Sequence, residues 1–417
     1  MHKRILRTLG FSLSFGVFAC SGSSGDDSGA NGTGATSGST TSNGGSTQNG
    51  AAGTVSNGGS IATAGSGTVP GGGSSSAGAA GTANAAGTAG TSTGGAAGAS
   101  TGGSSGSNSG GSAGSTGGSA GAGGSMTQKF VGNITTQNQV DTNSLTYSKY
   151  WDEITPENAG KWGSVQATSA SAFNWAALDA IYDYAQKNNV IFKQHNFVWG
   201  SQQPTGTITQ SNVQTWISSF CQRYPNTKLI DVVNEPPPHT TPAYADTIGG
   251  GTNGNWQWIT NAFTWARQSC GNAILILNDY NNLEYGDQET HFISIVNAIK
   301  SAGAPIDAVG AQSHDVAKTK MSAATLQTNL NTMNTMTGLP VYITEYDVSY
   351  ADDPTQLMIY QQQFPVFLNT SFVHGVTIWG WIYGQTWSQA PDSGLVKNGV
   401  SRSAMTWLMQ QLGRPAP

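Results

Sequence analysis

Charge is scarce in this chain of 417 residues: Asp, Glu, Lys and Arg together make up 9% of it. Burying an unpaired charge is costly, so a charged side chain that is not on the surface is expected to be paired or functional. Cysteine is scarcer still, at Cys20, Cys221 and Cys270 alone. Three are too few for the disulfide-dense framework of a small secreted scaffold. The apolar run near the start, from Leu9 to Ala19, falls short of the roughly 20 residues that span a bilayer. Residues 21–125 contain no aromatic residue, one proline (Pro70) and only Asp26 and Asp27 as charges. Basic excess is also absent. Residues 126–417 carry 14 basic and 20 acidic side chains, which argues against a nucleic-acid or anionic-membrane partner.

What is present divides the chain into three parts. Residues 1–20 run from basic (Lys3, Arg4, Arg7) through apolar to a small residue, the pattern of a secretory signal peptide. Val17-Phe18-Ala19-Cys20 resembles a bacterial lipobox, which implies lipidation of Cys20. Ser21 beside it is compatible with outer-membrane sorting, so an extracellular or cell-surface location, as an outer-membrane lipoprotein, is expected. The alternative is an ordinary signal peptide with an incidental cysteine. Residues 21–125 are Gly, Ser, Thr, Ala and Asn-rich, with 35 glycines but no strict Gly-X-Y period, which excludes collagen. Such a segment cannot bury enough apolar area to offset its ordering entropy, and it reads as a disordered spacer. Residues 126–417 hold all 12 tryptophans and no internal linker, so one large catalytic domain, expected to be monomeric, is favoured.

Within that part, β-rich runs alternate with helical patterns. Strands are expected at 130–134, 152–155, 191–199, 229–234, 273–278, 308–312, 341–344 and 375–379. Helices are expected at 175–188, where Asn174 would be the N-cap, and at 212–224, 256–269, 289–301, 323–336, 355–368 and 403–412. Eight strand-helix units in about 290 residues have the count and length of an α/β protein of the (β/α)8 TIM-barrel type. An open doubly wound sheet would leave the polar strand ends without a common meeting place. Cys221 and Cys270 fall near the ends of neighbouring helices, and in an exported chain a disulfide is the natural reading. Two buried free thiols are the alternative.

Polar and aromatic residues crowd the C-terminal ends of these strands, where the active sites of this barrel lie. The second strand ends in Glu157, Asn158 and Lys161, the third carries His195 and Trp199, and the fourth ends in Asn234-Glu235. The fifth ends in Asn278-Asp279-Tyr280, the sixth in Gln312 and His314, and the seventh in Glu345 and Asp347. Trp379, Trp381 and Trp387 follow the eighth. A lone carboxylate after a strand is usually a cap or a solvated loop residue; seven strands agreeing make a site. Glycosidic cleavage needs one carboxyl that stays protonated to donate to the leaving oxygen and one that stays ionised to attack the anomeric carbon. Glu235 suits the first role. Glu345 suits the second, with Gln312, His314 and Asp347 to hold and ionise it.

Seven stretches in order carry a family resemblance. They are Ile154-Thr155-Pro156-Glu157-Asn158-Ala159-Gly160-Lys161-Trp162, Gln194-His195-Asn196-Phe197-Val198-Trp199, Asp231-Val232-Val233-Asn234-Glu235, Leu277-Asn278-Asp279-Tyr280-Asn281, Gly310-Ala311-Gln312-Ser313-His314, Ile343-Thr344-Glu345-Tyr346-Asp347, and Val376-Thr377-Ile378-Trp379-Gly380 followed by Trp387. Residues 126–417 thereby resemble glycoside hydrolase family 10, the endo-β-1,4-xylanases. The resemblance implies Glu235 as acid/base, Glu345 as nucleophile, and Asn234 on the sugar 2-hydroxyl at subsite −1. It implies that His314 bridges Glu345 and Asp347, and that Asn158, Lys161, His195 and Gln312 bind the −1 and −2 sugars. Trp199, Trp379 and Trp387 would wall the cleft, and Glu157 and Tyr280 join the substrate-binding set. The implied activity is retaining hydrolysis of xylan, with no cofactor and no metal. The weaker readings are the same chemistry on another β-glycan or a glycosylated plant metabolite, and a non-catalytic surface carbohydrate-binding protein. Two positions depart from the family pattern. Gly200 stands where a second histidine is usual, a loss expected to open space, and Pro236-Pro237-Pro238 follows the acid/base.

Overall fold

The computed structural model describes residues 128–135, 139–142, 144–251 and 254–415. The signal segment 1–20, Cys20 and the spacer 21–125 lie outside the described residues. Eight parallel strands close into a barrel in chain order. They are β1 (Phe130–Thr135), β2 (Glu153–Pro156), β3 (Ile191–Val198), β4 (Leu229–Asn234), β5 (Ile274–Asp279), β6 (Ala308–Ala311), β7 (Val341–Tyr346) and β8 (Val373–Ile378). A two-stranded hairpin, β9 (Val396–Lys397) and β10 (Val400–Ser401), lies in the long connection after β8. Nine α-helices alternate with the strands: α1 (Trp162–Val165), α2 (Ala176–Asn188), α3 (Gln210–Arg223), α4 (Gln257–Ser269), α5 (Gly286–Ser301), α6 (His314–Lys318), α7 (Ala323–Thr337), α8 (Asp353–Asn369) and α9 (Ser403–Gln411), counted among the described residues.

The strands are almost wholly buried, as parallel strands covered on both faces must be. In β4, Ile230 and Val232 point outward to the helix-covered core, whereas Leu229 joins Phe130, Ile274, Ile276, Ala308 and Tyr342 in a small separate cluster. Helix α3 starts with a reciprocal capping box, in which Thr209 and Asn212 satisfy each other's backbone N–H. Its apolar face brings Trp216 flat against Trp162 and Trp175, with ring centroids 5.9 and 5.6 Å away. Cys221 on α3 is joined by a disulfide to Cys270 at the end of α4, with Cα atoms 5.2 Å apart.

Three details differ from the sequence reading. The short helices α1 and α6, of four and five residues, were not expected, being too brief to show a 3.6-residue apolar period. The N-cap of α2 is Trp175 rather than Asn174, whose side chain instead accepts from the Ala176 N–H at 3.3 Å. Trp381 is not at the barrel mouth. It is fully buried, edge-on to Tyr147 and Trp151, and donates its indole N–H to the Val140 carbonyl.

Candidate active site

The barrel mouth holds a cleft of about 900 Å³. Its lining includes Glu157, Asn158, Lys161, His195, Trp199, Glu235, Tyr280, Gln312, His314, Glu345, Trp379 and Trp387. Of the strand-end residues expected at the site, Asn234, Asn278, Asp279 and Asp347 do not line this cleft; each is hydrogen-bonded to a residue that does.

Local backbone geometry aims these side chains. Register shifts occur near the C-terminal ends of β3 (between His195 and Val198), β4 (between Asp231 and Val233) and β7 (between Ile343 and Tyr346). An irregularity of that kind turns a side chain away from the regular alternation. Glu235, Asn281 and Ser313, just beyond β4, β5 and β6, have positive φ of 51°, 60° and 64°. Asparagine tolerates that region; for glutamate and serine it is strained. The conformation of Glu235 is held from both sides. Its N–H donates to the Asn278 carbonyl at 2.8 Å, and its carbonyl accepts from the Thr240 N–H and hydroxyl at 3.1 and 2.7 Å.

Side-chain amides link the two glutamates. Asn278 Nδ2 donates to Glu345 Oε1 and to Asn234 Oδ1, both at 2.8 Å. Gln312 Nε2 donates to that same Asn234 oxygen at 3.3 Å and to Glu235 Oε1 at 3.1 Å. The second Glu235 oxygen accepts from the Trp199 indole N–H at 2.7 Å. Gln312 therefore serves Glu235 and Asn234, not Glu345 as the sequence reading had it. The Asn234 amide nitrogen, buried, has no partner among the described residues.

Glu345 is flanked by two histidines. His314 Nε2 is 3.4 Å from its Oε2, and His195 Nδ1 is 3.9 Å from its Oε1. Burial opposes ionisation of Glu345, but His195, His314 and Lys193 outweigh it and hold the carboxyl down at about 2. The same pairing acts in reverse on His314. Burial disfavours its charge, yet Asp347, 2.9 Å from Nδ1, and Glu345 together raise its pKa above the usual histidine value. Trp387 packs 4.5 Å from the His314 ring and donates to the same Asp347 oxygen at 2.9 Å, so the Asp347–His314 pair is fixed on its outer side. The Trp379 ring meets His195 edge-on at 5.3 Å.

On the β2 side, burial pushes Glu157 up to about 7, against the opposing pull of Lys161. Burial lowers Lys161, with Glu345, Glu157 and Glu235 acting the other way. Its ammonium donates to Asn158 at 3.0 Å and stands 5.1 Å from the centre of the Trp199 ring.

Sequence reasoning missed the layer of charge beneath the site. Lys193 Nζ and His195 Nδ1 both approach Asp231 Oδ2, at 2.7 and 2.9 Å. Glu153, fully buried, accepts from the hydroxyls of Thr155 and Thr377. The available signal was three charged residues, Glu153, Lys193 and Asp231, inside buried strands. His239 was missed as well; it pairs with Asp279 at 2.7 Å. Among the described residues there is no cluster of three or more His, Cys, Asp or Glu arranged to hold a metal ion.

Residues 122–409 match the family model for glycosyl hydrolase family 10. The chain is 44% identical over 290 residues to endo-1,4-beta-xylanase B of Cellvibrio japonicus, covering 68% of this chain but only 45% of that protein. It is 28% identical over 294 residues to endo-1,4-beta-xylanase C of Phanerodontia chrysosporium, covering 64% of this chain and 71% of the relative. Among solved structures, a GH10 endoxylanase from a sugarcane soil metagenome superposes with a TM-score of 0.59 at 20% identity, over 69% of this chain and 97% of that one. Xylanase 10B of Thermotoga maritima does so at 0.58 and 22%, over 68% and 94%. At such identities the superpositions speak for the fold alone.

Proposed function

The chain belongs to glycosyl hydrolase family 10, and from that premise we propose that it is a retaining endo-1,4-β-xylanase with Glu345 as nucleophile and Glu235 as acid/base. The observation that carries the proposal is the network joining two carboxyls with opposite partners. Glu345 is surrounded by histidine and lysine charge and is ionised at working pH. Glu235 instead receives an indole N–H and an amide N–H, and lies at the cleft wall.

In the first step a Glu345 oxygen bonds to the anomeric carbon as the glycosidic C–O bond breaks, and Glu235 gives its proton to the departing oxygen. In the second, Glu235 takes a proton from water, the water oxygen bonds to the same carbon, and the Glu345 carboxylate leaves. Asn234, whose amide nitrogen is free of protein partners among the described residues, is placed to donate to the sugar 2-hydroxyl. His195 holds one ring nitrogen on Asp231 and, with Asn158, Lys161 and Gln312, binds the sugars on the glycone side. Trp199, Trp379 and Trp387 offer apolar faces to sugar C–H groups. We assign the chemistry to side chains alone, without a cofactor or metal.

Digestion of xylan, mixed-linkage β-glucan and carboxymethylcellulose by the purified protein, with product sizing, tests the substrate. Xylo-oligosaccharides of mixed length from xylan are the expected products; no release from xylan overturns the assignment. Xylan is the only macromolecular partner proposed, and the barrel is taken to act as a monomer. The segment 1–20 motivates export with a lipid on Cys20, which mass analysis of the mature N-terminus would detect as a diacylglyceryl cysteine. No helix among the described residues is long and apolar enough to cross a membrane.

A further inference from the structure

The turn after Glu235 carries a histidine that the reaction above does not use. His239 is 9% exposed and has both ring nitrogens engaged: Nδ1 lies 2.7 Å from Asp279 Oδ1, and Nε2 2.7 Å from Gln288 Oε1. With both committed, the ring is fixed in rotation and offers no nitrogen to a substrate. Its face lies flat on Tyr280, with centroids 3.7 Å apart and planes 15° from parallel. Tyr280 lines the cleft, so one face of the phenol is covered by imidazole and the other is left for the cleft.

The turn itself is seated by a gap. A Cβ at Gly200 would come within 2.7 Å of the Thr240 Cβ, closer than real Cβ contacts allow, and within a tight 3.0 Å of the Thr241 carbonyl carbon. The space next to Gly200 is therefore filled by Thr240, not open as the sequence suggested. Thr240 in turn fastens the turn to the Glu235 carbonyl, and the Pro237 carbonyl lies 3.0 Å from His291 Nε2. The triproline run thus delivers His239 to one place.

We propose that His239 is a positioning residue that holds Tyr280 as a rigid platform for the sugar on the leaving-group side of the cleaved bond, and that Gly200 is the gap that lets the turn bring it there. The side follows from the barrel order. Tyr280 follows β5, next to the β4 end that bears Glu235, the group that must face the leaving oxygen. Glu157, Asn158 and Lys161 follow β2, across the mouth. Aromatic faces bind sugars through their C–H surfaces, and a pre-ordered platform loses less entropy on binding than a mobile one.

The inference rests on the retaining-hydrolase reading, and its test uses the covalent intermediate of that reaction. An acceptor sugar hydroxyl competes with water. Its oxygen bonds to the anomeric carbon, the bond to Glu345 breaks, and Glu235 takes the hydroxyl proton. With 4-nitrophenyl β-xylobioside as donor and added xylobiose as acceptor, the ratio of transfer to hydrolysis reads occupancy of the leaving-group side. His239→Ala and Gly200→Ala should each lower that ratio at least fivefold, and by more than they lower turnover. His239→Phe, which keeps the stacked ring and guards against loss of folding, should restore a large part of it. A ratio unchanged in His239→Ala, or falling only in step with turnover, overturns the role. Absence of any wild-type turnover would remove the underlying reading and this inference with it, and would be seen before any variant is compared.

Discussion

Burial pushes Glu345 toward its neutral form; neighbours, two of them histidines at 3.4 and 3.9 Å, outweigh it. His314→Gln removes the charge nearest the carboxylate and leaves burial in place. The carboxyl pKa, held at about 2 in the native protein, should then move up. On the proposed mechanism only the ionised form attacks, so the acid limb of the kcat/KM profile moves up with it, and activity is lost at a higher pH than in the wild type. A hydrogen bond to a charged group contributes about 1.5–3 kcal/mol, so kcat/KM near neutral pH should fall roughly ten- to hundredfold. An acid limb that stays in place would show that His314 does not set the charge of Glu345. The polar strand ends were legible at this scale because their residue types are rare in a chain of so little charge. Their partners were not. Whether Gln312 faces Glu345 or Glu235 depends on backbone twist at the end of β6, where Ser313 takes a left-handed conformation. Trp381 and Trp379 differ by two positions and only one lines the cleft, a distinction that follows from the bend at Trp379 beyond the end of β8.

At the scale of elements, the strands position the site and the helices cover them. Strand and helix positions were legible to within a few residues, because continuous apolar runs alternating with 3.6-residue patterns have few other readings. The short helices α1 and α6 and the N-cap of α2 were not, since a helix of about one turn shows no apolar period and a cap depends on which backbone N–H a short polar side chain reaches. Helix α5 carries an identifiable weakness. Glu289 is buried near its N-terminus, its Oε1 has no partner among the described residues, and burial pushes it up to about 7. A carboxyl whose folded pKa lies above its unfolded value loses stability for the fold as pH rises from the unfolded toward the folded pKa. Glu289→Gln cannot ionise, so its Tm should exceed that of the wild type at pH 8 by more than it does at pH 5. An equal difference at the two pH values would contradict the assignment.

For the whole molecule, the disulfide joins α3 and α4 across a sequence separation of 49 residues. In the chain-entropy account a loop of that size is worth about 4 kcal/mol. Replacing both cysteines by serine should lower Tm by several degrees in thermal melts while leaving the side chains of the barrel mouth, which lie on other elements, in place. The pairing was foreseeable from the ends of neighbouring helices. The coupling of Gly200 to the triproline turn was not, because two segments 36 residues apart in sequence meet only once the barrel closes. The central claim remains the pair of glutamates. Incubation with a 2-deoxy-2-fluoro-β-xylobioside bearing a good leaving group should stall the reaction at the covalent stage, and peptide mass analysis then locates the sugar. One equivalent attached to Glu345 is the predicted result; stoichiometric label on any other residue, or release of product with inverted anomeric configuration, would contradict it.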